Sequence, residues 1–194
     1  IGAIVGVLSG TLAWLFDGYD GSEPFSGRVR AAVAQGYAEP DPRVDLSGED
    51  VRRKLLILAR AAGQSLDAGD VQVESLLTPA LRRAGDAAAT DAALASLDHA
   101  LSDRAREAAA KGEVLRYVAR LEGKNARIGL EALPLGHALA QLRQISPWTA
   151  TLRFSASPSN NVNGGSFIGS PANYAAYADH PPAWANQIEV SCSS

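Results

Sequence analysis

The apolar positions of this chain fall into runs whose period changes along its length. AIVGVL, residues 3–8, is short and unbroken, the pattern of a buried strand, whereas residues 12–19 and 25–35 space their large apolar side chains as helices do. Residues 55–59 (LLILA) are apolar on every side, which predicts a helix buried in the protein rather than laid on its surface. That helix is expected to start at about Gly48. Ser47 would be its N-cap, Asp50 would stand three residues later, and Leu46 and Val51 would form a hydrophobic staple; Gly63 ends it after Ala62. Residues 86–111 are alanine-rich, with Leu94, Leu97 and Leu101 at helical spacing, so one or two amphipathic helices against a sheet are predicted. Residues 114–121 and 126–133 favour strand around Glu122-Gly-Lys-Asn125 and read as a hairpin. Strands at both ends with helices between predict an α+β fold, a mixed sheet with helices packed on one face.

The chemistry concentrates in one stretch, GYAEPDPRVDLSGEDVRRK, which ends at Lys54. Glu39, Asp41, Asp45, Glu49 and Asp50 crowd around Pro40 and Pro42. The two proline rings fix φ at alternate positions and push Glu39 and Asp41 toward extended geometry, so a stiff loop is expected. Asp50 and Lys54 share a helical face at i, i+4. Lys54 stands at the mouth of the apolar segment, directly behind Arg52 and Arg53, as one of three lysines against fifteen arginines. A site that keeps lysine in so arginine-rich a background suits a cation that gives up its proton, which arginine does not do in proteins. Taken singly, a capping acid, an i, i+4 ion pair and an acidic loop are ordinary surface features of small energetic weight. Together they make a constellation of candidate acid, base and cation binder.

Length and composition set the frame. A chain of 194 residues, 46% hydrophobic and with a net charge of −3, can bury a core and is expected to be one domain, or one domain plus an appendage. Its mild acidity gives no electrostatic reason to expect nucleic acid or an anionic membrane as partner. No apolar run is long enough to cross a bilayer, no signal-peptide pattern opens the chain, and Cys192 is single, which together fit a cytoplasmic protein. His99 lies in the alanine-rich region with nothing at metal-ligand spacing around it, so it reads as a surface or packing residue and no metal is expected. The chain contains no methionine, even at its first position, and is expected to be a piece of a larger protein. No G-x-G-x-x-G follows a strand, and Gly2, Gly6 and Gly10 are spaced wrongly for that fingerprint.

After about Gln144 the character changes. Arg153, Asp179 and Glu189 are the charged residues of the last fifty, against thirty-six in the first 144. The chain therefore divides into a domain over 1–144 and a low-charge tail over 145–194. A loop-rich extension, a flexible linker and residues translated out of frame all fit the tail's composition, and the abruptness of the break favours the last.

The acidic stretch resembles the substrate loop of homoserine dehydrogenases, G-Y-T-E-P-D-P-R-D-D-L-S-G-x-D-V-x-R-K, departing from it at Ala38 and Val44. The similarity extends to GVLSGTLAWLF (residues 6–16), to PFSGRVRAAVAQGY before the loop, and to KGEVLRYVARLEG and RIGLEALPLGHALA after it. In these last segments the chain is most similar to bacterial bifunctional aspartokinase/homoserine dehydrogenases. About three quarters of the chain is covered, and the likeness stops at the tail. The resemblance implies an NAD(P)-dependent oxidoreductase of threonine and methionine biosynthesis that interconverts L-homoserine and L-aspartate 4-semialdehyde. It implies that Glu39 and Asp45 bind the substrate ammonium, that Asp50 supports the site, and that Lys54 donates and accepts the proton. Gly10, Thr11 and Tyr37 match positions lining the substrate pocket; the plain alternative is a turn after a strand and a packed aromatic. The cofactor, NADP or NAD, would be held mainly by a dinucleotide-binding domain outside this chain, and the sheet would form a homodimer. The competing expectation is a catalytically inactive piece that only dimerises or binds amino acids.

Overall fold

The computed structural model describes residues 3–142 and the strand residues 152–153. The chain opens with strand β1 (Ala3–Gly6) and helices α1 (Gly10–Phe16) and α2 (Phe25–Ala34). A single helical turn, α3 (Arg43–Leu46), leads into α4 (Glu49–Ala61). Strand β2 (Val71–Val73), α5 (Pro79–Arg83), α6 (Ala87–Ala93) and α7 (Asp98–Ala110) precede the long hairpin β3 (Glu113–Glu122) and β4 (Asn125–Pro134); β5 is Leu152–Arg153.

The strands form one sheet in the order β2-β4-β3-β1-β5, with β2 parallel to β4 and every other pair antiparallel. The fold is α+β with a mixed sheet, as the pattern predicts. The hairpin register closes at Glu122 opposite Asn125, leaving Gly123-Lys124 as the turn, and Gly123 takes the positive φ of 59° that a tight hairpin needs. Period-two alternation then sends Leu115, Tyr117, Ala119 and Leu121 to one face, where they join Ile128 and Leu130 beneath Leu12, Phe16, Phe25, Leu55 and Leu101 of the helices. The opposite face carries Val118 and Leu133, which meet Val7, Leu139 and Ala140 in a smaller cluster. Arg116 is buried on that face, donating to the carbonyls of Phe16 at 2.7 Å and Ala140 at 2.8 Å.

Several boundaries differ from the sequence reading. Strand β1 stops at Gly6 and α1 at Phe16, because Asp17 turns extended and donates its N–H to the Trp14 carbonyl. The start of α4 is the larger correction. Ser47 has helical dihedrals and belongs to α3 as its C-cap, so it lacks the extended backbone an N-cap requires. The cap position falls to Gly48, in the left-handed region at φ 80°, and the Ser47 hydroxyl instead accepts from the N–H of Glu49 at 3.2 Å. The other end of α4 behaves as read: Gly63 adopts φ 75°, its N–H bonds to Arg60 and that of Gln64 reaches back to Ala59, a Schellman closure.

Nor is α4 buried all round. Leu55, Leu56 and Ala59 face the core while Ile57 is 63% exposed, so an apolar run of four concealed an amphipathic helix. Strand β2 and helix α5 were not foreseen, being three and five residues long. Strand β5 pairs with Val5 and Gly6 beyond the boundary drawn at 144, and the remaining expectations for residues 145–194 lie outside the described residues.

Candidate functional site

The β1–α1 turn is the pivot of the site. After β1 the chain passes through buried Val7, Leu8 and Ser9, and the Ser9 side chain caps α1 by accepting from the Leu12 N–H at 3.2 Å. That cap fixes Gly10 and Thr11 in the first turn. Thr11 donates its hydroxyl to the carbonyl of Tyr37 at 2.8 Å, and the Tyr37 ring stacks on Trp14 with centroids 5.2 Å apart. The start of the acidic loop is thus fastened to α1 twice, by a hydrogen bond and by an aromatic pair.

The same turn holds the lysine. Lys54 donates its Nζ to the Leu8 carbonyl at 3.1 Å and lies 2.7 Å from Oδ2 of Asp50, one turn earlier on α4. Its side chain remains 39% exposed. A lysine with its head tied to one carbonyl and one carboxylate is aimed, and its partial exposure leaves it accessible to a small molecule. Asp50 lies in the first turn of α4, where the helix dipole favours a carboxylate.

The loop itself is closed on its own carboxylates. Asp45 accepts through Oδ2 from the backbone N–H of Glu39 at 2.9 Å, spanning the two candidate ammonium-binding residues. Glu39 is exposed and Asp45 half-buried, so the Glu39 carboxylate points outward while Asp45 is partly committed to the loop. Between them, Asp41 is gripped by Arg43, whose Nε and Nη2 reach its two oxygens at 2.9 and 2.7 Å. The Arg43 side-chain hydrogen bonds hold the Asp41 carboxyl below its ordinary range, against an opposing effect of burial. The loop expected to be extended is instead bent at Pro40 and Asp41, and after Pro42 the chain coils into α3.

The structure brings Gly10, Thr11, Tyr37, Asp50 and Lys54 together around one turn, and joins Glu39 to Asp45. Sequence reasoning missed Ser9 and the Leu8 carbonyl, and missed the Asp41–Arg43 pair as a unit. Only Ser9 carried a local signal, a serine one residue before a helix. His99 is 93% exposed and pairs with Asp103 at 3.0 Å. Among the described residues no cluster of His, Cys, Asp and Glu could hold a metal, and no helix is long and apolar enough to cross a membrane.

Comparison with known proteins gives the geometry a context. The family model for homoserine dehydrogenase matches residues 1–152. The bifunctional aspartokinase/homoserine dehydrogenase 2 of Escherichia coli is 47% identical over 141 residues, which are 72% of this chain and 17% of that protein. A homoserine dehydrogenase of Paracoccidioides brasiliensis is 39% identical over 151 residues, 72% of this chain and 41% of its own length. This chain thus spans less than a fifth of the bifunctional relative and less than half of the fungal one. Among solved structures, a Candida auris protein of unknown function superposes with a TM-score of 0.68 at 32% identity, covering 74% of this chain and 42% of its own. A Thiobacillus denitrificans homoserine dehydrogenase, at 20% identity and a TM-score of 0.56, covers 73% of this chain and 29% of its own, and shares the fold.

Proposed function

The chain belongs to the homoserine dehydrogenase family, and from that premise we propose that it forms the substrate half of an oxidoreductase site that interconverts L-homoserine and L-aspartate 4-semialdehyde. The observation that carries the reading is the Lys54 ammonium, held between the Leu8 carbonyl and Asp50 on a side chain that stays partly exposed. In the oxidising direction the terminal carbon of homoserine loses a hydride and its hydroxyl loses a proton. Lys54, as its neutral amine, takes that proton, directly or through one water, and becomes the ammonium that returns it to the aldehyde oxygen in the reverse direction. Glu39 and Asp45 hold the substrate ammonium, which fixes the carbon chain relative to Lys54, a positioning role. Asp50 keeps the lysine aimed.

The nicotinamide dinucleotide, NADP or NAD, supplies or accepts the hydride. Its phosphates do not fit here: Ser9 already satisfies the Leu12 N–H at the head of α1, and the β1–α1 turn lacks the glycine spacing that lets a pyrophosphate approach. We therefore assign cofactor binding to a separate dinucleotide-binding domain, and place the enzyme in threonine and methionine biosynthesis. A homodimer through the outer sheet face is part of the same reading; that face presents Arg120, Arg127 and Glu131 in ion pairs of 2.9 and 3.2 Å.

Two measurements test this. Titrating the 194-residue chain with NADPH should give no saturable fluorescence change, whereas micromolar binding would put the cofactor site in this chain after all. Grafting residues 3–142 in place of the matched segment of the E. coli relative should give homoserine-dependent nicotinamide reduction that disappears in Lys54→Ala; activity that survives that change would overturn the assignment.

A further inference from the structure

We propose that Arg43 is a positioning residue for substrate binding: its guanidinium fastens the acidic loop to the α5–α6 corner and so sets where Glu39 and Asp45 stand. The inference rests on the ammonium-binding reading given above. Arg43 spends its donors in two directions. Nε and Nη2 form a fork on the Asp41 carboxylate, and the Arg43 backbone N–H adds a third bond to Asp41 Oδ1 at 3.0 Å. The remaining arm, Nη1, reaches the carbonyl of Ala84, forty-one residues away, at 2.7 Å. Ala84 is a firm anchor, because α5 is capped by Thr78 and buries Leu81 completely.

The loop needs such a tie. Glu39 is exposed, and its backbone N–H donates to the Asp45 carboxylate, two residues beyond Arg43. Asp41 and Arg43 lie between those two carboxylates in sequence, so a shift of the 41–43 clamp moves both. The clamp forms one wall of a groove of about 390 Å³ between α2, the loop and α6, lined by Val33, Pro40, Pro42 and Leu94. That space lets the loop slip if Arg43 lets go. Lysine replaces it only in part, since a single ammonium does not fork a carboxylate while also reaching a carbonyl on the far side.

A second arginine on the same groove supplies the control. Arg30 holds Asp91 through Nε at 2.6 Å and its backbone carbonyl through Nη2 at 2.9 Å, joining α2 to α6 without touching the loop.

The test is homoserine affinity of the 194-residue chain by NMR titration, with melting temperature measured on each variant. Glu39→Gln is the reference for ammonium binding. Arg43→Ala should weaken homoserine binding about tenfold, in keeping with the sensitivity of bound substrates to small displacements, with Arg43→Lys falling between it and the unaltered chain. Arg30→Ala should leave affinity unchanged. Should Arg43→Ala fail to fold, Arg43→Lys and Asp41→Asn carry the same comparison. If Glu39→Gln weakens binding and the Arg43 and Asp41 variants do not, Arg43 is only a structural clamp and the proposal is wrong. If Glu39→Gln itself has no effect, or the unaltered chain does not bind homoserine, the ammonium-binding reading fails instead.

Discussion

The hydroxyl of Tyr117 occupies the place that a side chain at Gly48 would need. Tyr117 rises from the middle of β3, 1% exposed, and donates its hydroxyl to the Glu74 carbonyl at 2.6 Å; a Cβ on Gly48 would collide with that oxygen and press on Val73. Burial pushes the Tyr117 hydroxyl well above its ordinary pKa, so it remains a donor throughout the working range. Gly48 also holds φ at 80°. The corner that starts α4, the helix of Asp50 and Lys54, is therefore determined from below, by the sheet.

Gly48→Ala should accordingly cost roughly 2–4 kcal/mol, adding the strain of a left-handed alanine to the overpacking against Tyr117. Thermal unfolding of the 194-residue chain measures it. Tyr117→Phe in the same background should recover part of the loss by removing the colliding oxygen, and the coupling between the two changes separates sterics from backbone strain. A fully additive pair would mean that the ring oxygen is not what excludes the Cβ.

Asp41 gives a pH signature. Hydrogen bonding to Arg43 lowers its pKa in the folded chain, so the folded state holds that proton less tightly than the unfolded state. Its contribution to stability is complete above the unfolded value, about 4, and fades as the pH falls through the lower folded value. Denaturant unfolding at neutral pH and on the acid side should show a smaller acid loss in Asp41→Asn than in the unaltered chain. Equal acid losses would show that ionisation of Asp41 adds nothing to folding stability.

What could be read from residues alone was what local pattern carries. The hairpin was legible because two β-favouring runs flank a short turn that carries a glycine. Strand β2 was not, since three residues hold too little alternation to stand out. In α4 a run of four large apolar residues hid the outward face that Ile57 occupies. At the site, the loop's acids and the Asp50–Lys54 spacing could be seen, while their roles came from the family resemblance. The contacts that assemble them could not be read: Lys54 meets a backbone carbonyl forty-six residues away, and Arg43 meets another forty-one away. A carbonyl leaves no trace in sequence, because every residue has one.

Glu39→Gln separates binding from chemistry in the grafted enzyme. The backbone link from Glu39 to Asp45 is untouched by the change, so the loop keeps its shape. Losing a carboxylate contact to the ammonium weakens ground and transition states alike, and the homoserine KM should rise roughly tenfold or more with kcat near normal. A collapse of kcat at constant KM would give Glu39 a part in the chemistry.

Lys54→Arg distinguishes a proton carrier from an ion-pair partner. In the folded chain Lys54 is bound on one side to Asp50 and on another to the Leu8 carbonyl, and an arginine has the reach and the donors to keep both. A purely structural lysine therefore predicts normal folding and substantial turnover in the grafted enzyme. Proton transfer predicts something else. Arginine does not release its proton at working pH, so kcat should fall by about 10²-fold or more while melting temperature and homoserine KM stay close to normal. Lys54→Ala, measured beside it, loses charge and contacts together and should be at least as slow. Retention of most of the turnover in the arginine variant would leave Lys54 as a charge that braces α4 against the β1–α1 turn, and the proton would have to travel by another group.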